Sequence, residues 1–213
     1  MRACGAVVLA AGEARRFGAP KLLMPFGDST VLGSVVEALG SAGVRPIVVV
    51  VGKNDAAIRE SLGDSDVHIV RNPDPAAGMV SSIRVGVERL PGSLDRFLVA
   101  LGDQPRIRAE CISQLVQEQI RSGKGIAIPM YQGRRGHPVV FSHSYRREIV
   151  AVTDQQTLRD LIEAHCDDIL EVKCGSDAYV RDIDTREEYE NELRRWHASV
   201  LRRRASAQWH AEH

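Results

Sequence analysis

The 213-residue sequence has few of the features that mark several classes of protein. Aromatic residues make up only 5% of it, which argues against the stacking platforms that hold single-stranded nucleic acid. Basic and acidic residues number 28 each, so the chain has no overall positive field with which to grip nucleic acid. We therefore expect no nucleic-acid partner.

Cysteine and long apolar runs are also scarce. The four cysteines (Cys4, Cys111, Cys166 and Cys174) form no Cys-x-x-Cys pair, which disfavours a zinc ribbon or a dithiol redox motif and favours reduced thiols. The apolar run near the amino terminus is shorter than the ~20 residues of a membrane helix and than the apolar region of a signal peptide. These absences predict a cytoplasmic protein with no membrane partner.

Hydrophobic residues make up 44% of the chain, which is enough for a folded core. Short apolar runs alternate with amphipathic stretches, and Ile47–Val51 is apolar at every position, as in a parallel strand covered on both faces. The alternation predicts a three-layer α/β sandwich with a mostly parallel, Rossmann-like sheet and an irregular, substrate-binding C-terminal half. Predicted strands are 6–9, 47–51, 67–70, 97–101, 126–129, 139–141, 169–172 and 179–183, and predicted helices are 30–42, 55–62, 79–90, 109–122, 156–165 and 185–195.

Several of these helices have candidate caps. They are Ser29 or Asp28 for the first helix, Asn54 for the second, Gly43 and Gly123 after two helix ends, and a capping box of Thr185 and Glu188.

The composition changes near the C-terminal end, so we divide the chain into a domain of residues 1–193 and a basic tail of 194–213. The tail has five arginines and one glutamate, a net charge of +4. A solvated helix extension is the simplest interpretation of such a tail. A docking surface for a protein partner is the next alternative, and nucleic-acid binding has the weakest support.

The most informative stretch, LAAGEARRFGAPK at 9–21, follows the first predicted strand. Ligands of open parallel sheets bind beyond the carboxyl ends of the strands, and small residues there let backbone N–H groups approach an anion. Arg16 and Lys21 add positive charge, so the stretch predicts a polyphosphate cradle. It is not a Walker loop, because Gly12 and Gly18 are spaced one residue too far apart and Lys21 precedes a leucine, and it lacks G-x-G-x-x-G.

This stretch resembles the signature L-A-[AG]-G-x-S-x-R-[MF]-G-x-x-K of nucleotidyltransferases with a MobA-like fold, and it is most similar to that of the molybdenum cofactor cytidylyltransferases. Ala14 departs from the signature, since that position is usually a serine that can contact phosphate. The matching residues are Leu9, Ala10, Ala11, Gly12, Arg16, Phe17, Gly18 and Lys21.

The resemblance implies transfer of a cytidylyl group from CTP to the phosphate of Mo-molybdopterin, with release of pyrophosphate and with Mg²⁺ as cofactor. It also implies a molybdoenzyme or a chaperone as the protein partner. Arg16, Lys21 and Asp103 would be catalytic, and the segment 9–12 would bind the nucleotide with them.

Two acidic motifs fit a metal site. The fourth apolar run delivers Asp103, in Gly-Asp-Gln-Pro, to the edge that holds the glycine-rich turn. A carboxylate beside a triphosphate can hold Mg²⁺, although a turn aspartate can also cap the next helix. The motif resembles the metal-bearing motif of the family, and Asp184, in Asp-Ile-Asp-Thr, matches its second carboxylate. The alternative for Asp184 is an anion favoured by the dipole of the following helix.

Two further segments resemble those of the cytidylyltransferases. Asn72, Ser81 and Ser82 would hold ribose or base edges, with plain N-capping of a helix as the alternative. Gly-His-Pro lies on the pterin side of the family's site, which implies that Arg135, Gly136, His137 and Pro138 bind the pterin substrate. Arg134 and Arg135 suit its phosphate, whereas a lone histidine is often purely structural.

Other functions stay open on this scaffold. Guanylyl transfer to molybdopterin, or nucleotidyl transfer to a sugar or polyol phosphate, would reuse Lys21 and Asp103. A non-catalytic protein that binds the cofactor and delivers it is the alternative of a different class. Ala11, Gly-Asp-Gln-Pro and Gly-His-Pro favour the cytidylyl enzyme.

Overall fold

A computed structural model describes residues 3–12, 17–52 and 55–212. None of the described helices is both long enough and apolar enough to cross a membrane. The strands are β1 (Cys4–Ala10), β2 (Pro25–Phe26), β3 (Ser29–Thr30), β4 (Ile47–Val51), β5 (Val67–Arg71), β6 (Arg96–Leu101), β7 (Ile126–Tyr131), β8 (Arg134–Arg135), β9 (Val139–Ser142) and β10 (Ile169–Lys173). The α-helices are α1 (Val31–Ser41), α2 (Asp55–Leu62), α3 (Met79–Arg89), α4 (Ala109–Ser122), α5 (Arg146–Ala151), α6 (Leu158–Ala164) and α7 (Arg186–Glu212).

The main sheet has eight strands in the order β10-β7-β9-β6-β1-β4-β5, with β8 paired to β7. The first-half strands pair in parallel, as β1 does with β4 and β6. Within the described chain, the antiparallel members of this sheet are β9, which lies between β6 and β7, and the short β8. The predicted mostly parallel sheet is therefore confirmed. A separate hairpin of β2 and β3 lies beside it.

Apolar side chains cover both faces of the sheet. Because successive residues of a strand point to opposite faces, Val7 and Val8 of β1 belong to different core clusters. Helices α1, α2 and α4 pack on one face, and α3, α5 and α6 pack on the other. All five residues of β4 are buried, as the continuous apolar run predicts. The three-layer arrangement is thus confirmed, and burial of apolar surface stabilises both interfaces.

The cap predicted for the first helix is wrong. The cap is Thr30 rather than Ser29 or Asp28, because the Thr30 hydroxyl accepts a hydrogen bond from the Gly33 backbone N–H at 3.0 Å. Gly123 ends α4 in the left-handed conformation, with φ of 69°. The proposed cap Asn54 lies outside the described residues.

The strand predicted at 179–183 is also wrong. Tyr179 ends a 3₁₀ turn, Asp177–Tyr179, and residues 180–183 belong to neither a helix nor a strand. The Ile183 N–H donates to the Asp103 carbonyl at 3.1 Å, and the Tyr179 carbonyl accepts from the His137 N–H at 2.9 Å. These backbone groups therefore bond to loops at the edge of the sheet instead of to a neighbouring strand.

Helix α7 begins with the predicted capping box. Thr185 accepts a hydrogen bond from the Glu188 N–H at 3.2 Å, and the Glu188 carboxylate accepts from the Thr185 N–H at 2.8 Å. The helix continues past residue 194, where the basic tail was placed. Trp196 lies edge-on to Phe26 with ring centroids 6.0 Å apart, so this part of α7 packs on the β2–β3 hairpin.

Gly86 lets α3 lie close to the sheet, so Gly86→Ala should destabilise the protein although alanine favours helix. A Cβ at residue 86 would clash with Val7 and would lie 2.9 Å from a Val50 methyl group. The resulting overpacking costs roughly 1–3 kcal/mol, more than the ~1 kcal/mol gained in helix propensity. Thermal unfolding of the variant should show a lower midpoint.

The matched control is Gly40→Ala in α1. A Cβ there would meet only the flexible end of the Arg45 side chain, so this variant should be as stable as the parent chain or more stable. Equal midpoints for the two variants would contradict the close approach of α3 to the sheet.

Candidate active site

The first two parts of the site lie together because β1 and β6 are parallel neighbours. Leu9 and Leu101 are aligned in register, and the Gly102 N–H donates to the Leu9 carbonyl at 3.0 Å. A Cβ on Gly102 would lie 2.9 Å from that carbonyl oxygen, so the position accepts glycine best. The chain therefore carries Asp103 out of the sheet beside the segment 10–12, as the sequence predicted.

Lys21 joins this edge from the other side of the glycine-rich turn. It begins a 3₁₀ turn, Lys21–Leu23, whose Leu22 is buried in the core and anchors the turn. The Lys21 Nζ lies 2.6 Å from Asp103 Oδ2 and 2.9 Å from Asp184 Oδ1. One ammonium group therefore contacts two carboxylates that are 81 positions apart in the printed sequence.

Burial and the neighbouring charges together determine the pKa values of Lys21 and Asp103. Burial raises the pKa of Asp103, the Lys21 ammonium lowers it in part, and the negative charges of Asp182 and Asp184 raise it further. Burial alone would lower the pKa of Lys21, but its contacts with Asp103 and Asp184 raise it above its ordinary value. Lys21 thus stays an ammonium ion at neutral pH.

The donor set fits a magnesium-like ion. The oxygens of Asp103 and Asp184 both lie within hydrogen-bonding distance of one cationic group, Lys21 Nζ, so a single cation can reach both. Among the residues that the structure describes, no three His, Cys, Asp or Glu side chains form a metal-binding group. Two carboxylates suit Mg²⁺, which takes its other ligands from water and phosphate oxygens.

The glycine-rich turn is described in part. Ala10 is buried, Ala11 is partly buried and Gly12 is exposed at the edge of the sheet. Arg16, predicted to bind phosphate, lies outside the described residues. Phe17, just after it, packs edge-on against Tyr189 of α7 with ring centroids 6.0 Å apart.

Asn72, Ser81 and Ser82 are buried together. The Asn72 Nδ2 donates to both serine hydroxyls, at 2.8 and 2.9 Å, and Ser81 donates to the Gly78 carbonyl at 2.8 Å. The cap of α3 is Gly78, without a side-chain hydrogen bond, so the N-capping alternative for the serines is wrong. The contacts fix the shape of the loop that precedes α3, and direct binding of a nucleotide by these three residues stays a prediction.

The Gly-His-Pro segment forms one wall of a large cavity of about 820 Å³. Gly136 lies directly against the Tyr179 carbonyl, so a Cβ there would clash with backbone. His137 faces the cavity, while Pro138 is buried behind it. The other walls are largely apolar and include Val80, Ile83, Ile128, Met130, Val139, Leu158 and Ile162.

The two arginines before Gly-His-Pro differ in their contacts. Arg135 is paired with Glu171 at 2.8 Å. Arg134 donates to the Val180 carbonyl at 3.3 Å and borders both the large cavity and a smaller one of about 210 Å³. The smaller cavity is lined by Asp182 and Asp184, so Arg134 lies between the large cavity and the carboxylate cluster.

Sequence reasoning missed the contacts that join the two acidic segments. Gln104 donates to Asp182 at 2.7 Å, and Arg106 pairs with Asp177 at 2.6 Å and with Glu192 at 2.5 Å. Gln104 is part of the Gly-Asp-Gln-Pro motif, so the sequence marked it as a candidate site residue. Nothing in the sequence indicated the pairing of Arg106 with Glu192, because a charged residue on a helix is usually solvated.

Comparison with known proteins places this geometry in a family. Residues 6–169 match the family described as "MobA-like NTP transferase domain". A nicotine blue oxidoreductase of Paenarthrobacter nicotinovorans is 28% identical, over 85% of this chain and 92% of its own. The molybdenum cofactor cytidylyltransferase of Escherichia coli (strain K12) is 21% identical, over 89% and 95%. A probable molybdenum cofactor guanylyltransferase of Bacillus mycoides is 26% identical, over 89% and 95%.

The solved structures include Rv0371c from Mycobacterium tuberculosis H37Rv, with a TM-score of 0.78, 26% identity, and coverage of 91% of this chain and 98% of that one. A complex of Rv0371c with manganese gives a TM-score of 0.74 at 25% identity, with the same coverage. The curated relatives carry more than one activity in their names, so none of them fixes the reaction alone. Since the family match spans most of the chain, from β1 into β10, the protein belongs to the MobA-like NTP transferase domain family.

Proposed function

We propose that the protein transfers a cytidylyl group from CTP to the terminal phosphate of Mo-molybdopterin and releases pyrophosphate. The observation that carries the proposal is the contact of the Lys21 ammonium with both Asp103 and Asp184, beside a glycine-rich turn. Cationic, carboxylate and backbone N–H groups on one edge are what a triphosphate and its metal ion require.

The nucleotide side of the site works by neutralising charge. Backbone N–H groups of the segment 10–12, with Arg16 and Lys21, would hold the β- and γ-phosphates and stabilise the leaving pyrophosphate. Asp103 and Asp184 would hold Mg²⁺, and the structure of Rv0371c in complex with manganese shows that a similar protein binds a divalent ion. When bound, the ion neutralises phosphate charge and so eases the approach of a second anion.

The nucleophile in this reaction belongs to the acceptor. An oxygen of the molybdopterin phosphate attacks the α-phosphorus of CTP, a new P–O bond forms, and the bond to the bridging oxygen of pyrophosphate breaks. The protein then has to align two anions rather than supply a nucleophile of its own. Arg134, between the large cavity and the carboxylate cluster, is placed to receive the acceptor phosphate.

The large cavity favours a planar heterocyclic acceptor over a sugar or polyol phosphate. A sugar needs hydrogen-bonding partners around its ring, whereas the walls of this cavity are largely apolar side chains such as Ile83, Ile128 and Leu158. Its polar groups, including Arg135, His137 and Asp154, come mainly from loops and from the short strand β8. This distribution fits a flat ring system with polar edges, as in a pterin.

The direct test is identification of the product. Incubated with each nucleoside triphosphate in turn, Mg²⁺ and Mo-molybdopterin, the protein should form the cytosine dinucleotide and pyrophosphate with CTP and little product with the other nucleotides. Mass spectrometry of the pterin product makes the measurement. Formation of a guanine dinucleotide would show that the donor is GTP and not CTP. If no nucleotide released pyrophosphate, the proposal of nucleotidyl transfer would be overturned.

Replacement of Asp103 and replacement of Lys21 should affect different kinetic constants. Asp103→Ala should abolish metal-dependent turnover because the metal loses a ligand, while Lys21→Ala should act mainly through a higher KM for CTP, because it weakens triphosphate binding. Steady-state kinetics with and without a chelator make the comparison. Asp66→Ala, at an exposed pair with Arg45, is the control and should leave turnover unchanged. Near-normal turnover of Asp103→Ala would remove Asp103 from the mechanism.

We expect His137 to make the stability of the folded protein depend on pH. Burial lowers the pKa of His137, and the negative charge of Asp182 offsets only part of that effect. A histidine whose pKa is lower in the folded state contributes stability above its unfolded pKa and loses it as the pH falls through the folded pKa.

Between pH 7.5 and pH 5.5, the unfolding midpoint of the parent chain should therefore fall further than that of His137→Asn, which has no titrating group at this position. Thermal or urea unfolding at the two pH values measures the difference. His68→Asn, at an exposed position, should follow the parent chain. Equal losses in the parent and His137→Asn would show that His137 is not held in its neutral form.

A further inference from the structure

We infer that Arg106 is a positioning residue that fixes the distance between the two carboxylates of the proposed metal site. The inference rests on the proposed function, in which Asp103 and Asp184 hold a divalent ion. Arg106 touches neither of these carboxylates in the contacts described above, so its role would be exerted through the chain segments that carry them.

The position of Arg106 in the chain is the first argument. It lies on the same loop as Asp103, close to the end of β6. Its two partners flank the other carboxylate, since Asp177 precedes Asp184 and Glu192 follows it on α7. One guanidinium group therefore holds both sides of the Asp184 segment against the Asp103 loop.

The geometry of these pairs is the second argument. Arg106 Nη2 lies 2.6 Å from Asp177 Oδ1, and Arg106 Nε lies 2.5 Å from Glu192 Oε2. The Glu192 side chain is 3% exposed and that of Arg106 is 14% exposed, so solvent screens these pairs little. A planar guanidinium can serve two carboxylates in fixed directions, whereas a lysine ammonium is a single point charge.

Asp177 is itself firmly held. Arg181 Nε lies 2.6 Å from its Oδ2, and Arg195 of α7 contacts the same oxygen. Burial raises the pKa of Asp177, but hydrogen bonds from Arg106 and Arg181 outweigh burial and bring the pKa below its ordinary value. Asp177 is thus an ionised anchor for the start of the segment.

Two further hydrogen bonds join the same two segments, but neither is an ion pair and neither can replace Arg106. The Ile183 N–H donates to the Asp103 carbonyl at 3.1 Å, and Gln104 donates to Asp182 at 2.7 Å. Both act at the middle of the segment. Neither reaches α7, whose first turn fixes the Asp184 backbone through a hydrogen bond from the Asp184 N–H to Glu188. Arg106 does reach that helix, because it pairs with Glu192.

The test replaces Arg106 by lysine, which keeps the charge but cannot serve both carboxylates. Mn²⁺ is titrated into the full chain with saturating CTP, and the water-proton relaxation enhancement separates protein-bound Mn²⁺ from Mn²⁺–CTP in solution. Arg106→Lys should raise the dissociation constant of Mn²⁺ about tenfold, the usual loss when a residue that orients a metal ligand is changed. The Mg²⁺ concentration for half-maximal turnover should rise in parallel, with the KM for CTP at saturating Mg²⁺ little changed.

Three further variants separate positioning from plain stability. Glu192→Gln, which removes one charge and keeps the side-chain shape, should shift the Mn²⁺ dissociation constant in the same direction. Arg121→Lys, at an exposed pair with Glu118, should leave it unchanged. Leu39→Ala removes a buried side chain from α1, so it should lower the unfolding midpoint and leave metal affinity unchanged.

Unchanged Mn²⁺ affinity in folded Arg106→Lys or Glu192→Gln would overturn the inference. A shift of equal size in Leu39→Ala would overturn it as well, since metal affinity would then follow stability alone. A parent chain that bound no Mn²⁺ beside any nucleotide would overturn the metal site itself. A parent chain that bound Mn²⁺ with CTP but formed no pterin dinucleotide would overturn the proposed acceptor and leave the role of Arg106 standing.

Discussion

The contact of one lysine ammonium with two aspartates is the interaction on which the site depends. Like-charged carboxylates repel each other, and the Lys21 ammonium, which lies within 2.9 Å of both Asp103 and Asp184, offsets that repulsion. The two carboxylates that pair with Lys21 in the protein would also suit a divalent cation bound together with phosphate groups. The cluster is therefore ordered by ion pairs in the protein and has the charges that the proposed ligand and metal ion would need.

The sheet brings these three residues together from separate parts of the chain. β1 and β6 are neighbours, so the glycine-rich turn and the Asp103 loop leave the sheet side by side. The segment after β10 crosses the same edge and bonds to the Asp103 loop through backbone and side-chain hydrogen bonds. Gly102 and Gly136 permit backbone approaches at this edge that a Cβ would block. Fold and site are thus linked by close backbone packing.

Local sequence patterns predicted the helices and strands whose bounds depend on hydrophobic periodicity and on capping residues. The apolar run of β4 and the amphipathic pattern of α4 gave their bounds correctly, because periodicity and burial decide them. The capping box before α7 was also found from two residues. Thr30 was missed because several adjacent polar residues can cap a helix and only geometry chooses among them.

Long-range contacts could not be predicted in the same way. The apolar residues at 179–183 suggested a strand, but their backbone partners are loops far away in the sequence. Lys21, Asp103 and Asp184 were each identified through motifs, whereas Arg106 and Glu192 belong to no motif and meet only in the folded chain. The residues proposed to contact the ligand were therefore more predictable than the residues that hold them in place.

Helix α7 follows every strand of the sheet in the sequence. It nevertheless contacts the β2–β3 hairpin through Tyr189 and Trp196, and it contacts Arg106 on the Asp103 loop through Glu192. During synthesis on the ribosome, the strands from β1 to β10 emerge before Asp184 and α7 do. The nascent sheet can thus begin to fold while the two-carboxylate cluster is still incomplete. In this chain, the proposed site for a triphosphate and its metal ion would therefore be completed after the scaffold and not with it.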